Sequence, residues 1–140
     1  ERYRGHVQAL QDAGLVAEAG LQVDAVTTEQ SGFEAARELL ARDEPFDAIF
    51  AASDLIAIGA MKALHERGLR VPEDVAVAGF DDIPMAGFVN PSLSTVQQDT
   101  KLAGSMLVEN LLRLINDEPV ESQTIPVKLA LRKSSGAIQA

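Results

Sequence analysis

Two short runs that are apolar on both faces constrain the fold more than any other feature of the sequence. They span residues 48–52 (AIFAA) and 75–79 (VAVAG), and their starts lie 27 residues apart. Strands inside a parallel sheet have this composition because helices cover both of its faces. The stretch between the two runs carries an apolar stripe at helical spacing that ends near Gly68. The sequence therefore predicts a βαβ unit with parallel strands.

Three further patterns precede this unit in the sequence. Residues 1–10 predict a helix, and residues 21–26 (LQVDAV) alternate apolar and polar side chains as a half-buried strand does. Ser31 and Glu34 form a capping box, which is typical of the start of a helix.

On the carboxyl-terminal side, an irregular stretch leads into another strand, a long helix and a last strand. Residues 94–97 are extended in pattern, and Thr100 is a candidate cap for a helix with a wide Leu-rich stripe. Residues 125–131 alternate as a strand with one buried face, and Pro126 favours an edge position.

Composition and missing motifs exclude several classes of function. The net charge is -9, from 12 Lys and Arg against 21 Asp and Glu, which argues against this segment gripping a phosphate backbone itself. The absence of cysteine excludes a disulfide scaffold and a thiolate metal site. No nucleophile elbow, phosphate loop or G-x-G-x-x-G occurs, and His6 and His65 lack a matched carboxylate motif. We therefore expect no catalytic residue, no metal and no cofactor.

The termini and the hydropathy suggest a segment of a longer protein that does not enter a membrane. No apolar run approaches the ~20 residues that a membrane helix needs. The chain lacks an initial Met, its first residues already read as the inside of a helix, and no secretion signal is present.

Polar side chains follow three of the predicted strands at the edge where ligands bind in open α/β sheets. The capping position of Ser53 fits either a helix cap or a ligand contact, and Asp54 favours a structural role in the helix start. Asp81 fits a turn residue or a ligand contact equally well, whereas Asp82 favours bracing its loop. Gln98 alone carries no signal. Carboxylates and amides together suit a ligand rich in hydroxyl or N–H groups.

Several motifs of this chain closely resemble one protein family, the LacI/GalR family of bacterial transcriptional repressors. The resemblance covers nearly the whole chain, and its most specific part is the run from residue 68 to residue 98. The motifs that carry it are Ala52-Ser53-Asp54, Ile58-Gly59-Ala60-Met61, Gly68 to Asp82 (GLRVPEDVAVAGFDD), Pro91 to Gln98 (PSLSTVQQ), Arg2 with Gly5, and Ser31-Gly32-Phe33.

The resemblance implies an α/β fold, a parallel-sheet sandwich of the periplasmic-binding-protein type I kind, in a fragment that lacks the first lobe. Residues 1–98 would form the second lobe without its opening strand. Residues 99–120 would form a helix that returns to the absent first lobe, and residues 121–140 the returning strand and the C-terminal tail. In this fragment we expect the helix to be covered by a second copy or to remain disordered.

The resemblance also assigns effector contacts residue by residue. Arg2 matches an arginine that holds effector oxygens, and Asp81 a carboxylate that fixes hydroxyl or ring N–H donors. Ser53 matches a position that often carries Asn in sugar responders, and Gln98 a contact near the hinge. Thr27 stands where many members carry an aromatic residue that stacks on the effector, so this chain departs from the family there.

The function implied is that of a non-enzymatic effector-binding and dimerisation core, in a cytoplasmic repressor. A small molecule, with a carbohydrate favoured, would control operator binding allosterically. Operator DNA would be bound through an absent helix-turn-helix domain, and the protein would be a homodimer. The alternative is a periplasmic-type sugar-binding protein of a transport system, which would carry a signal peptide upstream instead.

Overall fold

The computed structural model describes residues 1–42 and 44–136, and this part of the chain alternates helices with short strands. The last four residues of the predicted C-terminal tail lie outside the described residues. The α-helices are α1 (Arg2–Asp12), α2 (Glu29–Leu40), α3 (Asp54–Glu66) and α4 (Thr100–Ile115). The strands are β1 (Ala48–Phe50), β2 (Ala76–Ala78), β3 (Thr95–Gln98) and β4 (Val127–Ala130). Short 3-10 helices cover Ala19–Leu21, Pro84–Gly87 and Lys133–Ser135.

The predicted βαβ unit is confirmed. β1 and β2 pair in parallel, with Ala48 opposite Ala76 and Phe50 opposite Ala78, and α3 connects them. Single parallel bridges, Ala78 with Ser94 and Asp81 with Gln97, join β2 to the chain at β3. β3 and β4 then form an antiparallel pair.

The core lies where α3 packs against β2 and the loop that follows it. α3 is apolar nearly all round, so it is buried on several sides, and α2 covers its outer face. The main cluster of buried side chains comprises Ala51, Ala57, Met61, Leu64, Val75, Val77, Ala86 and Leu93.

The strand predicted at residues 21–26 is wrong. The chain forms a 3-10 turn at Ala19–Leu21 and then runs on without a ladder, because no neighbouring strand among the described residues offers it backbone partners. A side chain takes over part of that role: the Arg42 guanidinium donates to the carbonyl oxygens of Gly20 and Gln22, at 2.8 and 2.7 Å. The alternation of apolar and polar side chains in residues 21–26 is therefore not sufficient to form a strand.

Two predicted strands are less buried than expected. β1 was expected to be covered on both faces, but Ala48 is exposed and Phe50 is 38% exposed, although the His6 ring of α1 stacks on the Phe50 ring at 5.7 Å between centroids. β4 was expected to bury one face, but Val127 and Leu129 are 53% and 72% exposed. Its ladder is made with β3 alone, and the apolar side chains of β4 find no layer above them in the described part of the chain.

Two helix starts are displaced by one to three residues. Thr28, not Ser31, caps α2, since its hydroxyl accepts a hydrogen bond from the Ser31 N–H at 3.1 Å. Asp99, not Thr100, caps α4 and accepts from the Leu102 N–H at 2.8 Å. In both cases a side-chain oxygen slightly nearer the amino terminus reaches the orphan N–H group.

Candidate functional site

Two adjacent aspartates leave the carboxyl end of β2 in unusual backbone conformations. Asp81 has a φ of 116° and Asp82 a φ of 54°, and both lie in the left-handed region that L-residues rarely adopt. The Asp81 N–H donates to the carbonyl oxygen of Val96 at 2.9 Å, which ties the turn to β3. As a result the two carboxylates have separate sets of partners, one on each side of the turn.

The carboxylate of Asp81 is the point where the predicted effector contacts converge. Arg2 Nη2 donates to Asp81 Oδ1 at 3.1 Å, and Gln98 Nε2 donates to the same oxygen at 2.8 Å. These groups come from the first turn of α1, the end of β2 and the end of β3. Residues that are distant in sequence therefore meet at the carboxyl edge of the strands.

The Arg2 guanidinium is held by more than the carboxylate. Its Nη1 donates to the carbonyl oxygen of Ala52, and its central carbon lies 4.0 Å from the centroid of the Phe80 ring. A guanidinium over an aromatic face is attracted to the ring electrons. Arg2 is therefore oriented from three sides by groups of the chain itself. Phe80 was not singled out as a site residue from the sequence, although it directly precedes Asp81.

The other two predicted contacts lie apart from this cluster. Ser53 is buried, and its hydroxyl accepts from the Ile56 N–H at 3.3 Å, so that it acts as the cap of α3. It stays close to the site through its neighbour Ala52, which binds Arg2. Thr27 is exposed just before α2, and among the described residues no hydrogen bond joins it to Arg2 or Asp81.

Asp54 braces the floor of the site, as the sequence predicted. It is fully buried, and its carboxylate accepts from the Thr95 hydroxyl at 2.5 Å and from the Ile83 N–H at 2.9 Å. Burial is the main influence on this group and raises the pKa of the Asp54 carboxyl, while the two hydrogen bonds act against that rise. The side chain joins the start of α3 to β3 and to the loop behind Asp82.

Asp82 is engaged on the opposite side of the turn. Its Oδ1 accepts from Arg132 Nη2 at 2.6 Å and its Oδ2 accepts from Gln97 Nε2 at 2.7 Å. The sequence predicted that Asp82 braces its loop; its carboxylate instead ties the turn to β3 and to the segment after β4. Arg132 was missed, because it lies 50 positions away and reads there only as a polar residue in an alternating strand.

The arrangement is suited to binding a polar ligand. A carboxylate accepts hydrogen bonds from hydroxyl or N–H groups, a guanidinium donates to oxygens, and an amide does both. The ion pair and the ring fix their directions, which lowers the entropy cost of binding a polar ligand. No group of His, Asp and Glu side chains in residues 1–42 and 44–136 has a geometry that could hold a metal ion.

No helix in the described ranges is long and apolar enough to cross a membrane.

The fold and this polar rim define the class of periplasmic-binding-protein-like domains, in which helices and parallel strands carry a small-molecule site at the strand ends. The chain belongs to the periplasmic binding protein-like domain family, and the sequence model of that family matches residues 1–135. Within that family it is similar to the C-terminal part of the effector-binding cores of LacI-type regulators, which confirms the resemblance seen in the sequence.

Three comparisons carry that statement. The HTH-type transcriptional repressor PurR of Pasteurella multocida is 34% identical over 135 residues, which is 95% of this chain and 40% of the repressor. The structure of the transcriptional regulator CelR with cellobiose matches with a TM-score of 0.91 and 39% identity, over 96% of this chain and 42% of CelR. The lac repressor dimer bound to operator and the anti-inducer ONPF matches with a TM-score of 0.89 and 33% identity, over 97% of this chain and 41% of that one.

The chain thus spans about 40% of the length of the curated relative and of these two structural neighbours. All three are named as transcriptional regulators or repressors.

Proposed function

We propose that the chain contains the second lobe of the effector-binding core of a LacI-type transcriptional repressor. A small molecule bound at Asp81, Arg2 and Gln98 controls, through the neighbouring lobe, the affinity of a separate domain for operator DNA. The complete protein acts in the cytoplasm as a homodimer. Residues 1–98 form this lobe, the α4 segment returns to the first lobe, and the β4 segment follows it.

The observation that carries the proposal is the convergence on one oxygen atom. Arg2 and Gln98 both donate to Asp81 Oδ1, although they lie 79 and 17 positions away from Asp81. A surface ion pair of purely structural use does not need a second donor to the carboxylate, an aromatic ring beside the guanidinium and two successive left-handed residues at the carboxylate. Backbone strain of this kind is typical of binding sites.

A carbohydrate is the class of effector that the site favours. A carboxylate, a guanidinium and an amide in one cluster match the dense hydroxyl groups of a sugar. Thr27 offers no ring that would stack on a flat nucleobase. The structural neighbour CelR was solved with cellobiose, which supports the same class.

The control of DNA binding follows from differential affinity. An effector that contacts Asp81 and Arg2 in one arrangement of the lobes, and fewer groups in another, shifts the population toward the first. The size of that shift is limited by the difference in affinity between the two arrangements. The lac repressor neighbour was solved as a dimer on operator DNA, which supports both the dimer and the DNA partner.

The test is thermal unfolding of the full-length protein against mono- and disaccharides, sugar phosphates and nucleobases. A ligand present at ~100 times its Kd stabilises the folded state by about 2.7 kcal/mol, which raises the unfolding temperature by several degrees. We expect one class of sugar to produce this shift. We expect the shift to disappear in Arg2→Ala and in Asp81→Asn.

Arg4→Ala is the matched control, because Arg4 lies two positions from Arg2 and, among the described residues, forms its ion pair with the exposed Glu1 at 3.1 Å. This variant should keep the full shift. A shift that Arg2→Ala and Asp81→Asn both retain would place the effector elsewhere. A full-length protein that responds to nothing in the panel would contradict the proposal for these ligand classes.

A further inference from the structure

Arg132 lies two residues after β4 and joins this segment to the turn that carries the Asp81 carboxylate. Its Nη2 donates to Asp82 Oδ1 at 2.6 Å, and its Nη1 donates to the carbonyl oxygen of Leu93 at 2.7 Å. The side chains of Asp82 and Arg132 are only 11% and 21% exposed. This pair is therefore screened less by water than the other ion pairs of the described chain, which are more exposed.

The backbone at Arg132 is itself fixed. Its N–H donates to the Ser94 hydroxyl at 2.7 Å, and the carbonyl oxygen of Leu93, which Arg132 binds, belongs to a fully buried residue. Ser134, two residues later, is also fully buried and connects the Ser94 N–H to the carbonyl oxygen of Val77. Arg132 therefore reaches Asp82 from a rigid base.

The turn at residues 81–82 needs such an external hold. Two successive non-glycine residues in the left-handed region cost conformational energy, and they persist only where surrounding contacts over-determine them. Asp81 is held through its N–H and its carboxylate, and the carboxylate is the group that a ligand would engage. The carboxylate of the neighbouring Asp82, by contrast, is held by side chains of the protein itself, Arg132 and Gln97.

We propose that Arg132 is a positioning residue of the effector site. Through its ion pair with Asp82 it fixes the left-handed turn and so directs the Asp81 carboxylate toward Arg2, Gln98 and the effector. This role rests on the proposed function of the site, and it extends the site to the segment after β4. By linkage, an effector that tightens Asp81 also tightens the hold of Arg132 on the turn.

The test uses hydrogen–deuterium exchange of the full-length protein without ligand, read by mass spectrometry on a peptide that spans residues 79–83. In Arg132→Gln the charged hydrogen bond is lost, and we expect exchange in this peptide to rise by about tenfold or more. Arg132→Lys keeps the charge but not the two-pronged geometry, and it should give a smaller rise. Asp82→Asn, which removes the same ion pair from the other side, should resemble Arg132→Gln.

Arg42→Gln is the matched control. Arg42 also pairs with a carboxylate, that of Glu38, also donates to backbone carbonyl groups, and is similarly half-buried, but it lies away from the turn. It should leave the 79–83 peptide unchanged. A rise of equal size in Arg42→Gln, or a rise spread over the whole protein, would show a general loss of stability and would overturn the positioning role. So would unchanged exchange of this peptide in folded Arg132→Gln and Asp82→Asn.

A titration with cellobiose separates this inference from the proposed function. If wild type binds cellobiose, Arg132→Gln should weaken the affinity by about tenfold or more, while Arg42→Gln should not change it. If wild type binds neither cellobiose nor any sugar of the unfolding panel but the exchange pattern is as expected, the carbohydrate assignment fails and the positioning role of Arg132 at Asp81 stands. If cellobiose binds equally well to wild type and Arg132→Gln, the positioning role is contradicted and the proposed function is not.

Discussion

The Asp54 carboxylate is subject to opposing influences on its charge. It is fully buried, which disfavours its charge, yet it accepts two hydrogen bonds that favour the charge. The Thr95 hydroxyl and the Ile83 N–H belong to segments that meet only in the folded state. Asp54 thus shows why a helix-capping signal in sequence can be correct and still incomplete: the partners that define its role are not local.

Asp54→Asn is expected to destabilise the fold by about 1–3 kcal/mol at neutral pH, because the amide group cannot accept from both donors. The pKa of the Asp54 carboxyl is raised in the folded state. The stabilisation that comes with this raised pKa is fully present below the ordinary aspartate pKa of about 3.9. It is lost as the pH rises through the pKa of Asp54 in the folded state. The penalty of the substitution should therefore be larger at about pH 4 than at about pH 7, measured by urea unfolding of both proteins.

Asp74→Asn provides the control with the opposite sign. Hydrogen bonds from Arg70 lower the pKa of the Asp74 carboxyl to about 2. Its stabilising effect is present above the unfolded pKa and disappears as pH falls toward the folded value. The penalty of this exposed substitution should shrink on acidification while that of Asp54→Asn grows. Parallel trends for the two variants would contradict the assignment of burial as the main influence on Asp54.

At the scale of elements, α2 and α3 approach so closely that a single methyl group matters. A side-chain carbon at Gly59 would lie 2.0 Å from the Glu29 carbonyl oxygen and 2.6 Å from the Phe33 nitrogen, and both of these are backbone atoms. Backbone atoms cannot rotate away as a flexible side chain can. The contact between the two helices therefore requires glycine at this position, and it sets how α3 presents Asp54 to the site.

Gly59→Ala is expected to destabilise the chain by about 1–3 kcal/mol or more, because the two helices must move apart. Gly104→Ala in α4 is the matched control, since nothing lies within 4 Å of a carbon added there. That substitution should stabilise by roughly 0.5–1 kcal/mol through helix propensity. Urea midpoints of both variants provide the measurement, and a Gly59→Ala protein as stable as wild type would show that the helices can separate freely.

The sequence correctly predicted those elements of the fold that depend on residues close together in the chain. The parallel pairing of β1 with β2 and the course of α3 follow from apolar runs and from Ser53 and Asp54 at the helix start, so a local pattern sufficed. The resemblance to a family brought in Arg2 and Gln98. Neither route found Arg132, whose meaning depends on a partner 50 positions away.

The errors have the same origin. Residues 21–26 have the alternation of a strand, but a strand also needs a neighbour that pairs with it, and no strand of the described residues does so. β4 has the pattern of a strand with one buried face, yet Leu129 is 72% exposed because no layer covers it. An apolar–polar pattern shows which side chains a segment could bury. Whether they are buried depends on other parts of the molecule that cover them.

At the scale of the whole molecule, charge and apolar surface act in opposite directions. The net charge of -9 opposes association of two copies, and its effect weakens as salt is added. α4 has no buried residue, and large apolar side chains remain exposed along it. They are Leu102, Leu107, Val108, Leu111, Leu112, Leu114 and Ile115. A helix with this composition gains from a partner that removes its apolar stripe from water.

The 140-residue chain should therefore self-associate through α4, and more strongly at higher salt. Leu111→Glu should weaken this association by at least about tenfold, because burial of a leucine contributes roughly 1.5–3 kcal/mol and the variant adds an unpaired charge. Val16→Glu makes the same change of charge at an exposed apolar residue outside α4, so it should have a much smaller effect. Sedimentation velocity over a range of concentrations measures all three proteins. A chain that stays monomeric at every concentration and salt level, or equal effects of the two variants, would mean that α4 does not mediate contact between copies.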